Sequence, residues 1–326
     1  MKSRWTRRQA IARVCAGAAT AIAGPALSQS AYPNRPIKLI VGFPPGSAAD
    51  LVFRTAAIEA SKKLGQPVVI ENKPGAASVL AFLGIKAAAP DGYTIGAINA
   101  GLWRQPVLED VSYDPIKDFT YIVNLAENIF SVVVSDSSPL KTWGDLLAWG
   151  RANQKRVSFG VTPGLRQSAH VFMLEVMKRE GVDWQAVGYN ASPLKDLLGG
   201  ELTFSVEPVA GASAMVQSGK ARFLAIVSEQ RIPRWADVPT FKELGYPLAI
   251  DSPVGLGGPA SMPPHVVKVL HDAFKFAIEQ PSMIQHFERT DSRARYMSTA
   301  ELGRYVVHAE GEQRELLTRY GFAKKR

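Results

Sequence analysis

Ser168 and His170 stand two residues apart in a turn-rich stretch, a hydroxyl beside an imidazole, the pairing that nucleophilic acyl transfer uses. Asp50 and Glu207 are the carboxyls that could act as acid and base. Spacing argues against catalysis in both cases. Residues two apart do not face each other at a helix start, no third orienting group is evident, and Asp50 is placed to cap a helix. The other histidines, His265, His271, His286 and His308, fall at packing or surface positions in the C-terminal helical stretch. There is no G-x-S-x-G, H-E-x-x-H, Walker or C-x-x-C sequence. Anion capture, by contrast, is provided for twice. Pro44-Pro45-Gly46-Ser47-Ala48-Ala49-Asp50 and Val161-Thr162-Pro163-Gly164-Leu165-Arg166-Gln167-Ser168 each join a Gly/Pro turn, a hydroxyl and a helix start. Free backbone N–H groups and the positive end of a helix dipole receive negative charge there. Charge-assisted hydrogen bonds contribute about 1.5–3 kcal/mol each. A few of them reach the roughly −8 kcal/mol of micromolar binding if a cleft closes and excludes water.

Both loops need a strand to deliver them and a helix to follow. Residues 37–42 are apolar and β-branched, as in a buried parallel strand, and residues 51–64 carry apolar positions at helical spacing. Ser47 with Asp50 makes the N-cap pair between them. Strands are then expected at 67–71 and 93–98, with a helix over 76–89, so that a parallel sheet covered on both faces emerges. Further strands fall at 121–124, 130–134 and 157–160. Thr142 and Asp145 cap a helix over 143–152, and a helix over 169–179 follows the second loop. Residues 185–189, 202–207 and 222–227 read as strands, 193–198 and 211–218 as helices, and 238–240 as the opening of a short helix. After an extended segment at 249–256, two amphipathic helices occupy the tail, one starting at Pro263-Pro264 and one at the capping box Ser298-Thr299-Ala300-Glu301. Two α/β units with a helical return imply a discontinuous two-lobed α/β chain. The expected parts are 31–125 for the first lobe, 126–250 for the second, and 251–326 for the return, with hinges near 124–130 and 251–256.

The net charge of +9 suggests nucleic acid until it is located. Lys2, Arg4, Arg7, Arg8 and Arg13 precede any acidic residue, and without them 33 basic residues face 29 acidic ones, scattered except at Lys324-Lys325-Arg326. That is no basic stripe, and no nucleic-acid partner is expected. The basic start, the mild apolar stretch at 14–23 and the small residues Ala26-Leu27-Ser28 read as a cleaved export signal over 1–30, with Arg7-Arg8 pointing to the Tat route. Ten mostly apolar residues are too few for a membrane anchor, which needs about 20. The single cysteine, Cys15, leaves with the signal, so the mature periplasmic protein has neither disulfide nor thiol chemistry.

Tyr32-Pro33-Asn34-Arg35-Pro36, with Phe43-Pro44-Pro45-Gly46 and Asp50, resembles the start of mature Bug-type solute receptors, the binding proteins of tripartite tricarboxylate transporters. Glu71-Asn72-Lys73-Pro74-Gly75, Ala89-Pro90-Asp91-Gly92-Tyr93, Tyr113-Asp114-Pro115, Asp196-Leu197-Leu198-Gly199-Gly200 and Asp237-Val238-Pro239-Thr240 are similar to the same family, in order along nearly the whole mature chain. The resemblance implies a two-lobed periplasmic-binding-protein fold, type II-like. It would be a non-enzymatic monomer without metal or cofactor that closes on a small organic acid and delivers it to membrane permease subunits. It also implies that the first loop holds a carboxylate largely through backbone N–H groups and ordered waters, while the second supplies contacts from the other lobe.

The ligand contacts so expected are Pro45, Gly46, Ser47, Ala48, Ala49 and Asp50. Asn99, Gly101 and Trp103 would join them from a loop at 99–105, and Thr162, Gly164, Arg166, Ser168, His170 and Glu207 from the other lobe. The chain departs from the family pattern at Ser47 and Ala49, at Pro163, Leu165 and Arg166, at Trp103 and Arg104, and at Pro253-Val254. Trp103 could stack on a ligand body, Arg104 or Arg166 could pair with its carboxylate, and Glu207 could accept from a ligand hydroxyl or amine. Two other readings use the same residues: a sensor subunit for a membrane kinase, and a periplasmic hydrolase built on Ser168 and His170.

Overall fold

The apolar run ahead of the first loop becomes strand β1 (Ile37–Val41), buried at every residue but Lys38. This computed structural model describes residues 32–247, 250 and 252–324. Contacts divide the chain into residues 1–34 and 35–326, and both sheets belong to the second unit. The export signal expected over 1–30, with Cys15, lies outside the described residues.

Helix α1 (Ala48–Leu64) returns the chain to β2 (Val68–Asn72), which pairs parallel to β1 with Leu39 beside Ile70. Helix α2 (Val79–Lys86) leads to β3 (Thr94–Ile98), parallel to β1 on its other side. The helix expected over 76–89 starts late because Ala76, Ala77 and Ser78 take positive φ values of 46°, 52° and 73° and form a left-handed turn. Ser78 Oγ holds that turn by donating to Gly42 O at 3.2 Å and accepting from Asn99 Nδ2 at 3.3 Å. The loop expected over 99–105 is mostly helix α3 (Gly101–Leu108). Asn99 starts it, its Oδ1 accepting from Gly101 N at 2.7 Å in place of a cap at residue 100.

Strand β4 (Phe119–Glu127) passes into β5 (Phe130–Ser135), and with it the chain leaves the first sheet for the second. There α4 (Trp143–Ala152) starts at the Thr142–Asp145 capping box, and β6 (Ser158–Val161) precedes α5 (Ser168–Glu180). The second sheet is completed by β7 (Gln185–Gly188), α6 (Leu194–Leu198), β8 (Phe204–Pro208), α7 (Val209–Gln217) and β9 (Ala221–Val227). Residues 240–246 form hydrogen-bonded turns instead of a short helix, with Leu244 N donating to Thr240 O and Tyr246 N to Phe241 O. Strand β10 (Pro253–Pro259) re-enters the first sheet. The tail holds three helices, not two: α8 (Pro264–Ile278), α9 (Pro281–Thr290) and, after strand β11 (Arg293–Met297), α10 (Thr299–Arg319). Pro281 causes the extra break, since proline opens a helix and cannot continue one.

The first sheet has the order β11-β4-β10-β3-β1-β2 and the second β7-β6-β8-β5-β9. Each is mixed where a parallel sheet is expected. β1, β2 and β3 run parallel, as do β6, β7 and β8, while the strands at the crossings, β4, β5, β9 and β10, pair antiparallel. A chain that must leave a sheet and come back enters it from the opposite end, which fixes those directions. Each lobe has its own core. The first gathers Phe82, Ile85, Trp103 and Leu302, and the second stacks Phe159 on Phe204 with ring centroids 4.9 Å apart. A smaller cluster of Val107 and Leu108 from α3, Val171 from α5 and Leu317 from α10 joins the two lobes.

Candidate functional site

Parallel strands deliver their loops to the same edge, and helices that follow them begin there. Ser47 caps α1, its Oγ accepting from Asp50 N at 3.4 Å. Asp50 turns the other way, wholly buried, and clamps the loop from behind. Its Oδ2 accepts from Gly46 N and from Arg54 Nε, and its Oδ1 from Asn72 Nδ2, all at 2.7 Å. Asn72 also donates to Phe43 O at 3.0 Å, so strand β2 holds the loop at both ends. Burial opposes ionisation of Asp50, but the bonds from Arg54, Asn72 and Gly46 outweigh it and hold the carboxyl below its ordinary value. Gly46 sits at φ 78°, where a side chain would be strained. With Gly46, Ser47 and Asp50 N–H groups occupied, those of Ala48 and Ala49 open the helix, and helical geometry supplies them with no acceptor.

The second lobe answers with the start of α5. Gln167 stands at its N-cap in extended conformation and makes no side-chain capping bond. Gly164 and Arg166 both take positive φ, 106° and 62°, to turn the chain into the helix. Between the lobes lies a cavity of about 550 Å³, in the range that encloses a small metabolite. Pro45, Gly46, Ser47, Ala48 and Ala49 line it from α1's loop, Asn99 and Gly101 from the start of α3, and Thr162, Ser168 and Glu207 from the second lobe. A Cβ at Gly101 would fall 2.9 Å from Ala77 O, so close approach of the left-handed turn requires glycine there.

The remaining expected contacts are not on that wall. Asp50 lies behind the loop. Trp103 is fully buried in the first core, edge-on to Tyr305 at 6.1 Å. Gly164 and Arg166 line a second chamber of about 1040 Å³ that shares Phe43, Pro44, Asn99, Pro163 and Gln167 with the first. Arg166 Nη2 donates to Glu109 Oε1 at 3.0 Å, an exposed ion pair across the mouth of the cleft. His170 turns away from the cavity. Its Nδ1 accepts from Arg166 N at 3.0 Å, its ring stacks on Phe322, and burial pushes its pKa down to about 4, so it is neutral at physiological pH.

Arg104, which the sequence offers as a partner for a carboxylate, lines the cavity, and so does a loop that the sequence did not single out. Arg104, 2% exposed, reaches the cavity from α3, with Nε and Nη2 donating to Gln313 Oε1 and Nη1 to Gln167 Oε1 at 3.5 Å. Asn190, Ala191 and Ser192 form a third loop between a parallel strand, β7, and a helix, α6. That strand-turn-helix grammar is the same as in the two loops that sequence did pick out. Glu207 is wholly buried at the cavity wall and accepts from Ser192 Oγ and Ser205 Oγ. Burial raises its pKa above the ordinary carboxylate value against the pull of both hydroxyls. Among the described residues no three His, Cys, Asp or Glu side chains gather as metal ligands, and no helix is long and apolar enough to cross a membrane.

Two mixed sheets joined by crossing strands, with helix-starting loops from both meeting at one cavity, define a two-lobed periplasmic-binding-protein fold with its ligand cleft between the lobes. The chain belongs to the tripartite tricarboxylate transporter family receptors, whose family model matches residues 52–321. The UPF0065 protein in the gbd 5′ region of Cupriavidus necator is 37% identical over 325 residues, 98% of this chain and 99% of that protein. Two solved structures share the fold at TM-score 0.81 and 24% identity, each over 90% of this chain. They are the periplasmic binding protein BugD, covered over its full 100%, and an R. palustris protein with adipate, covered over 99%.

Proposed function

We propose that this chain is an exported receptor that captures a small organic acid as a monomer and presents it to the permease subunits of a tripartite tricarboxylate-type transporter. One observation carries the reading: the N-terminal turns of α1 and α5, from opposite lobes, open onto one cavity of about 550 Å³. The N–H groups of Ala48 and Ala49 and the hydroxyls of Ser47, Thr162 and Ser168 would take the carboxylate. Two helix dipoles would favour its charge from either side. The cleft is built within one chain, which supports a monomer. Family membership supports the permease partnership and a periplasmic location, and adipate in an R. palustris protein of the same fold supports the ligand class.

Thermal unfolding with a panel of mono-, di- and aromatic carboxylates tests it. A ligand at a hundred times its Kd stabilises by about 2.7 kcal/mol, well above the resolution of a melting curve. Failure of every acid at millimolar concentration to raise Tm would remove the reading.

A further inference from the structure

Tyr320 caps α10, and Gly321 follows it at φ 69°. The N–H of Gly321 donates to Thr318 O at 3.0 Å and that of Phe322 to Leu317 O at 2.8 Å, the paired bonds that end a helix through a left-handed glycine. This turn folds Phe322 back over Leu317. Its side chain packs on the seam of Val107, Leu108, Val171 and Leu317, and its ring stacks on His170 with centroids 5.8 Å apart. Lys324 then fastens the segment to the end of α3. Its N–H donates to Val107 O at 2.9 Å, a carbonyl that the last turn of a helix leaves open, and its Nζ donates to Glu109 O at 3.3 Å and Asp110 Oδ1 at 2.7 Å.

His170 carries the tie into the second anion loop. Its Nδ1 accepts from Arg166 N at 3.0 Å, so the ring is neutral and keeps its proton on Nε2. Arg166 stands at φ 62° in the turn between Thr162 and Ser168, both of which line the cavity. Its guanidinium reaches Glu109, in the same stretch that receives Lys324. Phe322 and Lys324 belong to the first lobe, His170 and Arg166 to the second. Parting the lobes must therefore unseat either Phe322 from His170 or Lys324 from Val107.

We propose that residues 320–324 form a clasp between the lobes, seated when the cleft is shut and released when it opens, and that His170 is its receiver. Through His170 the clasp also locks the left-handed turn of the second anion loop. The proposal goes beyond the carboxylate-receptor reading and does not depend on which ligand the cavity takes.

Hydrogen exchange at the Arg166 amide and small-angle scattering, both on the full chain with no acid added, test this in three variants. Phe322→Ala removes the ring that meets His170. Lys324→Pro removes the N–H that reaches Val107, at an exposed position where the fold is spared. His170→Phe keeps a ring for Phe322 and deletes only the acceptor. The Arg166 amide should exchange faster in all three, by about fivefold in His170→Phe, as for one lost neutral hydrogen bond. The radius of gyration should rise in Phe322→Ala and Lys324→Pro and hold in His170→Phe. Unchanged exchange at Arg166 in folded His170→Phe overturns the lock on the loop. An unchanged radius of gyration in folded Lys324→Pro overturns the clasp, whether or not Phe322→Ala folds.

Discussion

Asp50 looks, from its place in the loop, like a ligand contact, yet its geometry makes it the clamp that shapes the loop, and Asp50→Asn separates the two roles. Asparagine keeps the size and leaves one carbonyl oxygen, but its amide would point N–H hydrogens either at Gly46 N and Arg54 Nε, which both donate to Oδ2, or at Asn72 Nδ2, which donates to Oδ1. The bonds from Gly46 and Asn72 are worth about 1.5–3 kcal/mol each while the acceptor is charged, and roughly a third of that when it is neutral. Arg54 is 41% exposed, so its contribution is screened and adds little. The expected loss is about 2–4 kcal/mol, read as a shift of the urea midpoint at neutral pH. The pH dependence carries a sign. Asp50 is held below its ordinary value of 3.8, so its stabilisation is present above that value and disappears as pH falls through the depressed folded one. The gap between wild type and variant should therefore narrow as the pH is lowered through 3.8 and below. Release of Gly46 N–H would also let the turn relax and misdirect Ala48 and Ala49, weakening whichever acid binds by about tenfold, as for one lost hydrogen bond to a charged group. Equal urea midpoints near neutral pH, or a gap that persists unchanged into acid, would refute the clamp.

Gly42 lies under the left-handed turn, and a Cβ there would stand 2.5 Å from Ser78 Cβ and 3.1 Å from Ala81 Cβ. Gly42→Ala should cost about 1–3 kcal/mol by overpacking and weaken acid binding as residues 76–78 shift, both checked by denaturation and calorimetry. Asp291, at φ 52° between α9 and β11, accepts from Ser213 Oγ at 2.8 Å and Trp235 Nε1 at 2.9 Å, groups carried by the second lobe. Asp291→Ala should cost about 1–2 kcal/mol by removing the acceptor of the half-buried Trp235 indole N–H. It should also enlarge the radius of gyration in small-angle scattering as the lobes loosen, and an unchanged value would show that Asp291 does not tie them.

Much of the local structure was legible. Ser47, Thr142 with Asp145, and Ser298 with Glu301 cap the helices they precede, because a cap is made within four residues of chain and leaves its chemistry in the sequence. Strand β11 was not legible: Arg-Ala-Arg-Tyr-Met is charged and half exposed, and pairs only because β4 offers it an edge. Nor was the fate of Trp103. A tryptophan beside a pocket-forming loop suits stacking, but one helical step turns it onto Tyr305, in the helix near the far end of the chain.

The order of strands, helix starts and glycine turns, and with it the two amide-lined loops and the receptor family, is written in the chain, since each depends on neighbours in sequence. Which face each side chain shows was decided in three dimensions. Asp50 bonds across 22 residues to Asn72, His170 stacks on Phe322, and Glu207 is buried at the cavity wall between Ser192 and Ser205. A side chain's partner is whatever the fold brings within about 3 Å of it. Burial then sets its charge and its role, and neither quantity exists until both lobes are built.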